Sequence, residues 1–232
     1  MSIQIIEAKR SDLETQAVRF IETGVRDVLK RKENAVLGIS GGRSVQGVLK
    51  LLQQSRIPWN TVHIFWVDER FVSPKDDESN YKNAKEGFLD VLTEKRKLSE
   101  KNIHPFIYNS LAADGGVRAY TELFLRYGNS FDIVLLGVGE DGHVASLFPN
   151  HASVSDDSEY FITVENSPKP PPKRMSASGK LLGRSERGIF LFFGKEKKSA
   201  FDRFRDENVP IEKCPSKIAK HVKETLVLAD VV

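Results

Sequence analysis

The chain has 232 residues, 40% of them apolar, with 35 basic residues set against 32 acidic ones and a single cysteine, Cys214. A formal charge of +3 is too small and too dispersed to mark a nucleic-acid or membrane-surface protein, and no apolar run nears the ~20 residues that cross a bilayer. One cysteine excludes an internal disulfide, and MSIQIIEAKR lacks a basic segment followed by an apolar signal core, so a reduced, cytoplasmic setting is expected.

Ser11-x-x-Glu14 has the form of a capping box, and Leu13, Ala17, Phe20, Val25 and Val28 follow at roughly helical spacing, predicting an amphipathic helix over 11–31. The runs AVLGIS (35–40), VHIFWV (62–67), DIVLLG (132–137) and GIFLFF (188–193) are nearly continuous in apolar residues rather than alternating. Such strands are expected to be buried on both faces, as in a parallel sheet covered by helices. FITVE (161–165) and TLVLAD (225–230) are weaker strand candidates, and helical patterns cover 44–54, 81–97, 115–127 and 195–207. This alternation predicts an α/β fold, a doubly wound, mostly parallel Rossmann-like sheet with helices on both faces, in a single domain over 1–232. Within it, Ser167–Arg174 (SPKPPPKR) holds three adjacent prolines, which predict a stiff, extended, polyproline-like loop.

In an open parallel sheet, ligands gather beyond the carboxyl ends of the strands, and four such ends are chemically informative. After AVLGI, Ser40, Gly41, Gly42, Arg43 and Ser44 lead into a helix, a pattern that suits either a phosphate cradle or a plain glycine turn. After VHIFWV come Asp68, Glu69 and Arg70, then a polar segment with Asn80; the acid and the arginine are crevice groups or a structural ion pair. Arg174, after the prolines, and Lys197, after GIFLFF, make a third set in which basic residues suit an anionic substrate, although Lys195 and Lys197 also fit a solvated helix start.

The fourth end, GVGEDGHVAS (137–146), matches the dinucleotide fingerprint G-x-G-x-x-G. Pro149 arrives seven residues after Gly142, leaving room for about two helical turns, and Glu140 and Asp141 would oppose a diphosphate. What remains is a tight turn presenting Asp141 and His143, either a proton-transfer pair or a surface histidine capping a short helix. His63, His104, His151 and His221 lack such settings, and no His/Cys/acid spacing suggests a zinc site.

Taken in order, SGGRS (40–44), FWVDERFV (65–72), SNY (79–81), DIVLLGVGEDGHVASLFP (132–149), SPKPPPKRMS (167–176) and FGKEK (193–197) closely resemble the 6-phosphogluconolactonases, within the superfamily that includes glucosamine-6-phosphate deaminase/isomerases. The resemblance implies hydrolysis of 6-phospho-D-glucono-1,5-lactone in the oxidative pentose phosphate pathway, without metal or organic cofactor. It implies His143 as general base with Asp141 as its partner. Asp68 matches a pocket acid, Arg70, Arg174 and Lys197 match substrate-binding groups, and residues 40–44 lie near the phosphate. The expected partner is a small sugar-phosphate lactone, not nucleic acid or membrane, and a monomer is compatible with the sequence. Two departures stand out: Val45, where the family often has proline, and SASGKLLGRSERG after Arg174.

Deaminase/isomerase relatives carry an Asn-Glu pair shortly after the histidine, where the Glu supports ring opening. Here those positions read Leu147-Phe148, and phenylalanine cannot exchange a proton. A sugar-phosphate sensor would bind without turnover, and an NAD(P)-dependent oxidoreductase would need the fingerprint set aside above.

Overall fold

The structure is a computed structural model and describes residues 2–231. Among the described residues, ten strands and eight α-helices follow one another as β1 (Ser2–Glu7), α1 (Arg10–Leu29), β2 (Ala35–Ile39), α2 (Arg43–Leu52), β3 (Val62–Trp66), β4 (Asp68–Arg70), α3 (Asn80–Ala84), α4 (Asp90–Glu94), β5 (Ile103–His104), α5 (Val117–Leu125), β6 (Ile133–Gly137), α6 (Ala152–Ser155), β7 (Phe161–Val164), β8 (Arg174–Ala177), α7 (Gly179–Gly183), β9 (Arg187–Phe192), α8 (Lys198–Arg205) and β10 (Glu224–Ala229). Between α3 and α4 the helix continues through a widened π turn, Lys85–Leu89. No helix among the described residues is long and apolar enough to cross a membrane.

Seven strands form one sheet in the order β1-β10-β9-β6-β2-β3-β5, and its strand pairs are parallel. The chain winds outward from β2 through β3 to β5, then returns to β6 and winds the other way, so strand order reverses between β2 and β6. A crevice opens beyond the carboxyl ends at such a reversal. The apolar continuity of the strands follows from their burial on both sides. On β3, Ile64 and Trp66 face one core with Leu13, Val25 and Leu49, while Phe65 faces a second with Phe124, Phe131 and Phe201. These are the doubly covered parallel strands expected from the sequence.

Four local expectations are corrected. The capping box does not form: α1 starts after Lys9, which makes no side-chain cap. Glu14 instead presses on α2, where a Cβ at Gly47 would fall 2.0 Å from its Oε1. FITVE is a strand, but it lies in a second, antiparallel sheet of order β4-β8-β7. The proline segment is an ordered loop but not an extended one: Ser167 N donates to Pro172 O at 2.9 Å, closing a compact turn that contains a cis Pro170–Pro171 bond. And no helix follows the glycines after β6, because residues 138–151 remain loop until α6.

Candidate active site

Two unforeseen strands assemble the site. Asp68-Glu69-Arg70 and Arg174-Met175-Ser176 pair antiparallel, with Asp68 opposite Ser176 and Arg70 opposite Arg174. This brings together segments a hundred residues apart at the mouth of the parallel sheet. Glu69, which the sequence did not distinguish, anchors the junction from a buried position. Its Oε1 accepts from the amides of Arg70 and Asn80, both at 2.8 Å, and its Oε2 from Tyr81 N at 2.8 Å and Ser79 Oγ at 3.1 Å. Burial raises its pKa against the pull of those amides.

A crevice of about 510 Å³ lies over the strand ends. It is lined by Ser40, Gly41, Gly42, Arg43, Ser44, Asp68, Arg70, His143, Arg174 and Lys197, so nearly every residue singled out in the sequence converges there. Asp141 stands behind the histidine instead of on the wall. Lys195 is exposed and does not line the crevice, as a solvated helix start would have it. Val45 is buried inside α2, away from the opening. Arg10, Asn80, Lys169 and Glu196 also line the crevice; the sequence marked Asn80 only as part of a polar segment and Glu196 only as a neighbour of Lys197, and Lys169 sat within the proline run.

The Asp141–His143 turn is shaped by its glycines. Gly139 N donates to His143 O and Gly142 N to Gly139 O, both at 2.9 Å, and Gly142 has φ of +86°, a region costly to residues with a Cβ. The imidazole lies directly over Gly139, where a Cβ would fall 2.0 Å from Nδ1. That close approach, not a pyrophosphate, explains the glycine. His143 Nδ1 lies 2.5 Å from Asp141 Oδ1, and the His143 amide donates to the same oxygen at 3.2 Å. Burial works against the Asp141 charge, but its contacts with His143 prevail and hold its pKa well below the usual carboxylate range. An ionised Asp141 favours the tautomer with the proton on Nδ1, which leaves Nε2 of the neutral ring unprotonated. Phe148 closes one side, its ring centroid 4.8 Å from that of His143. The family position that would carry a carboxylate is therefore filled by a buried apolar ring.

The glycine turn after β2 is stapled to β6. Ser40 Oγ accepts from Gly137 N at 3.0 Å and donates to Leu135 O at 3.3 Å, so this hydroxyl is used within the fold instead of standing free as a phosphate donor. Gly41 packs so tightly on Asn80 that a Cβ would lie 2.3 Å from its side chain, whereas Gly42 has open space around it. Gly42 also precedes the first turn of α2, whose residues Arg43 and Ser44 line the crevice, where a helix N-terminus favours anions. Arg70 donates to the carbonyl of Glu78 and lies 3.4 Å from its carboxylate, so of the two readings left open for Asp68 and Arg70 the mutual ion pair does not form. Asp68 accepts instead from Ser146 Oγ at 3.0 Å. Burial lowers the pKa of Lys197; Glu140 and Glu196 oppose this, while Lys169 and Arg43 add repulsion. Among the described residues, no cluster of three or more His, Cys, Asp or Glu side chains is arranged to hold a metal ion.

The result is a doubly wound α/β protein with a cation-lined crevice at the strand-order reversal, and on its wall a histidine backed by an aspartate. Residues 8–228 match the family described as glucosamine-6-phosphate isomerases/6-phosphogluconolactonase, and the chain belongs to it. It is 34% identical over 213 residues to the 6-phosphogluconolactonase of Borreliella burgdorferi, covering 92% of this chain and 90% of that one. A second relative, the 6-phosphogluconolactonase of Thermotoga maritima, is 32% identical over 180 residues, 78% of this chain and 79% of its own. The crystal structure of a Thermotoga maritima 6-phosphogluconolactonase superposes with a TM-score of 0.82 at 26% identity, covering 98% of both chains. A Shewanella baltica structure, at 22% identity and a TM-score of 0.84, covers 99% of this chain and 97% of its own and shares the fold.

Proposed function

We propose that the chain hydrolyses 6-phospho-D-glucono-1,5-lactone to 6-phospho-D-gluconate, the lactone-opening step of the oxidative pentose phosphate pathway, as one lactonase domain. The observation that carries this reading is His143 on the wall of a cation-lined crevice, backed at 2.5 Å by Asp141. His143 Nε2 takes a proton from water as the water oxygen bonds to the lactone carbonyl carbon. The tetrahedral intermediate then collapses, the bond to the ring oxygen breaks, and the imidazolium returns the proton to that oxygen. Asp141 holds the tautomer and supports the imidazolium. General acid–base help of this kind contributes typically about 10²–10⁴-fold, which suits an ester already strained and activated. Arg43 and the first amides of α2 suit the phosphate, and Arg70 and Lys197 suit the anionic sugar-phosphate body.

The buried Phe148 argues against the deaminase/isomerase branch, because no proton can be exchanged from that position. The test is the disappearance of freshly generated lactone, corrected for spontaneous hydrolysis, beside glucosamine 6-phosphate. Rapid lactone loss with an inert amino sugar is expected; the reverse pattern assigns the chain to the other branch.

A further inference from the structure

Arg174 matches a substrate-binding arginine by sequence, yet most of its hydrogen-bonding capacity is directed at its own chain. It is 4% exposed on β8. Its Nε donates to Pro171 O at 3.1 Å, and its Nη2 donates to Lys169 O and to Pro170 O, each at 2.9 Å. A guanidinium has five N–H groups in a fixed fork, so only the Nη1 pair remains for the crevice. The loop it grips is stiff by construction. Lys169 precedes a proline, which restricts its backbone to extended conformations. Its amide donates to Ser167 Oγ at 3.2 Å, and that hydroxyl donates back to Lys169 O at 2.8 Å. Lys169 thus projects into the crevice from a backbone fixed on both sides.

Its charge also reaches the other groups of the crevice. Lys197 feels the charges of both Arg43 and Lys169, and Asp141 feels that of Lys169. Arg43, Lys197, Lys169 and His143 line one crevice, and the charge of Lys169 reaches the Asp141–His143 pair. Attack on the lactone turns its carbonyl oxygen into an oxyanion beside that pair, and a preorganised cation there stabilises the transition state more than the ground state.

We propose that Lys169 stabilises the oxyanion formed at the lactone carbonyl and that Arg174 is a positioning residue that aims it by clamping the 167–173 turn. The assignment rests on the lactonase reading above. Steady-state lactone kinetics on Lys169→Met, Lys169→Arg, Arg174→Lys, Arg174→Met and Lys169→Met/Arg174→Met test it. Lys169→Met is expected to lower kcat by about 10²–10³-fold, with KM changed less than threefold. Lys169→Arg recovers part of the loss. Arg174→Lys, which keeps charge and bulk but loses the fork, also lowers kcat, and the double variant loses no more than Lys169→Met alone. A Lys169→Met kcat within twofold of wild type, or a raised KM with unchanged kcat, overturns the Lys169 role. Losses that multiply in the double variant overturn the positioning role. Arg174→Lys carries that half should Arg174→Met fail to fold. A wild-type protein inert toward the lactone refutes the lactonase reading itself, whereas an active wild type with an unaffected Lys169→Met refutes only this assignment.

Discussion

Two histidine pairings sit in the same molecule with opposite chemistry. In the crevice, His143 Nδ1 meets a carboxylate at 2.5 Å, and its side chain stays 17% exposed. On the β3–β5 side of the sheet, His63 Nδ1 and His104 Nε2 stand 2.9 Å apart, sandwiched with Tyr127 at centroid distances of 4.1 and 4.5 Å and with Phe65 at 4.5 Å from His104. Burial lowers the pKa of both, with Lys101 adding repulsion at His63, and His104 is pushed down to about 4. A histidine among aromatic rings with no carboxylate stays neutral and serves packing. One on a strand-end turn, held by an ionised acid, is equipped to take and return a proton. Partner and access separate the two.

The comparison can be broken at its active half first. Gly139→Ala puts a methyl group into the space of the imidazole, 2.0 Å from Nδ1 and 2.7 Å from Asp141 Oδ1. Lactone turnover is expected to fall by about 10²–10⁴-fold, as if the base were removed, with the circular dichroism spectrum unchanged. Full activity in this variant would show that the pair need not be placed as described.

The buried half predicts a stability effect. The folded state keeps His104 neutral down to about pH 4, while the unfolded chain takes up the proton near the ordinary 6.5. Between those values the unfolded state binds more protons, so stability is full above pH 6.5 and is lost as pH falls toward 4. Denaturant midpoints measured across that window should decline. In His63→Leu/His104→Leu that part of the decline should vanish, while any carboxylate contribution below pH 4 persists. The smallest effect is expected at Ser40→Ala, which leaves the Gly137 amide without its acceptor. This costs about 1–3 kcal/mol of unfolding free energy with little change in KM for the lactone. A KM rise without destabilisation would return Ser40 to the phosphate site.

The contrast also explains what the sequence could reveal. The parallel strands were legible because burial on both faces removes polar residues from a whole run, as in Ile64, Phe65 and Trp66. The strand-end residues were legible because charge directly after such a run has few structural uses. β4 and β8 were not, since three- and four-residue strands made of Asp68, Glu69, Arg70 and Arg174 carry neither apolar periodicity nor β-branched enrichment. Glu69 was hidden for a related reason: its role as an acceptor for four donors depends on a loop folding back eleven residues later. β1 escaped notice because an edge strand has little to bury, and Ile3 and Ile5 remain 38% and 44% exposed. Glu14 shows the converse, a local capping signal overridden by the packing of α1 on Gly47. The Lys169–Arg174 clamp needs the turn to close before its parts meet, so SPKPPPKR alone reads only as a stiff, extended loop.

The most direct test of the central claim is the initial rate of 6-phosphogluconolactone hydrolysis by His143→Ala beside wild type, with matched circular dichroism spectra. A fall of about 10²–10⁴-fold, toward the spontaneous rate, is predicted. A folded His143→Ala protein that opens the lactone at the wild-type rate would contradict His143 as the base.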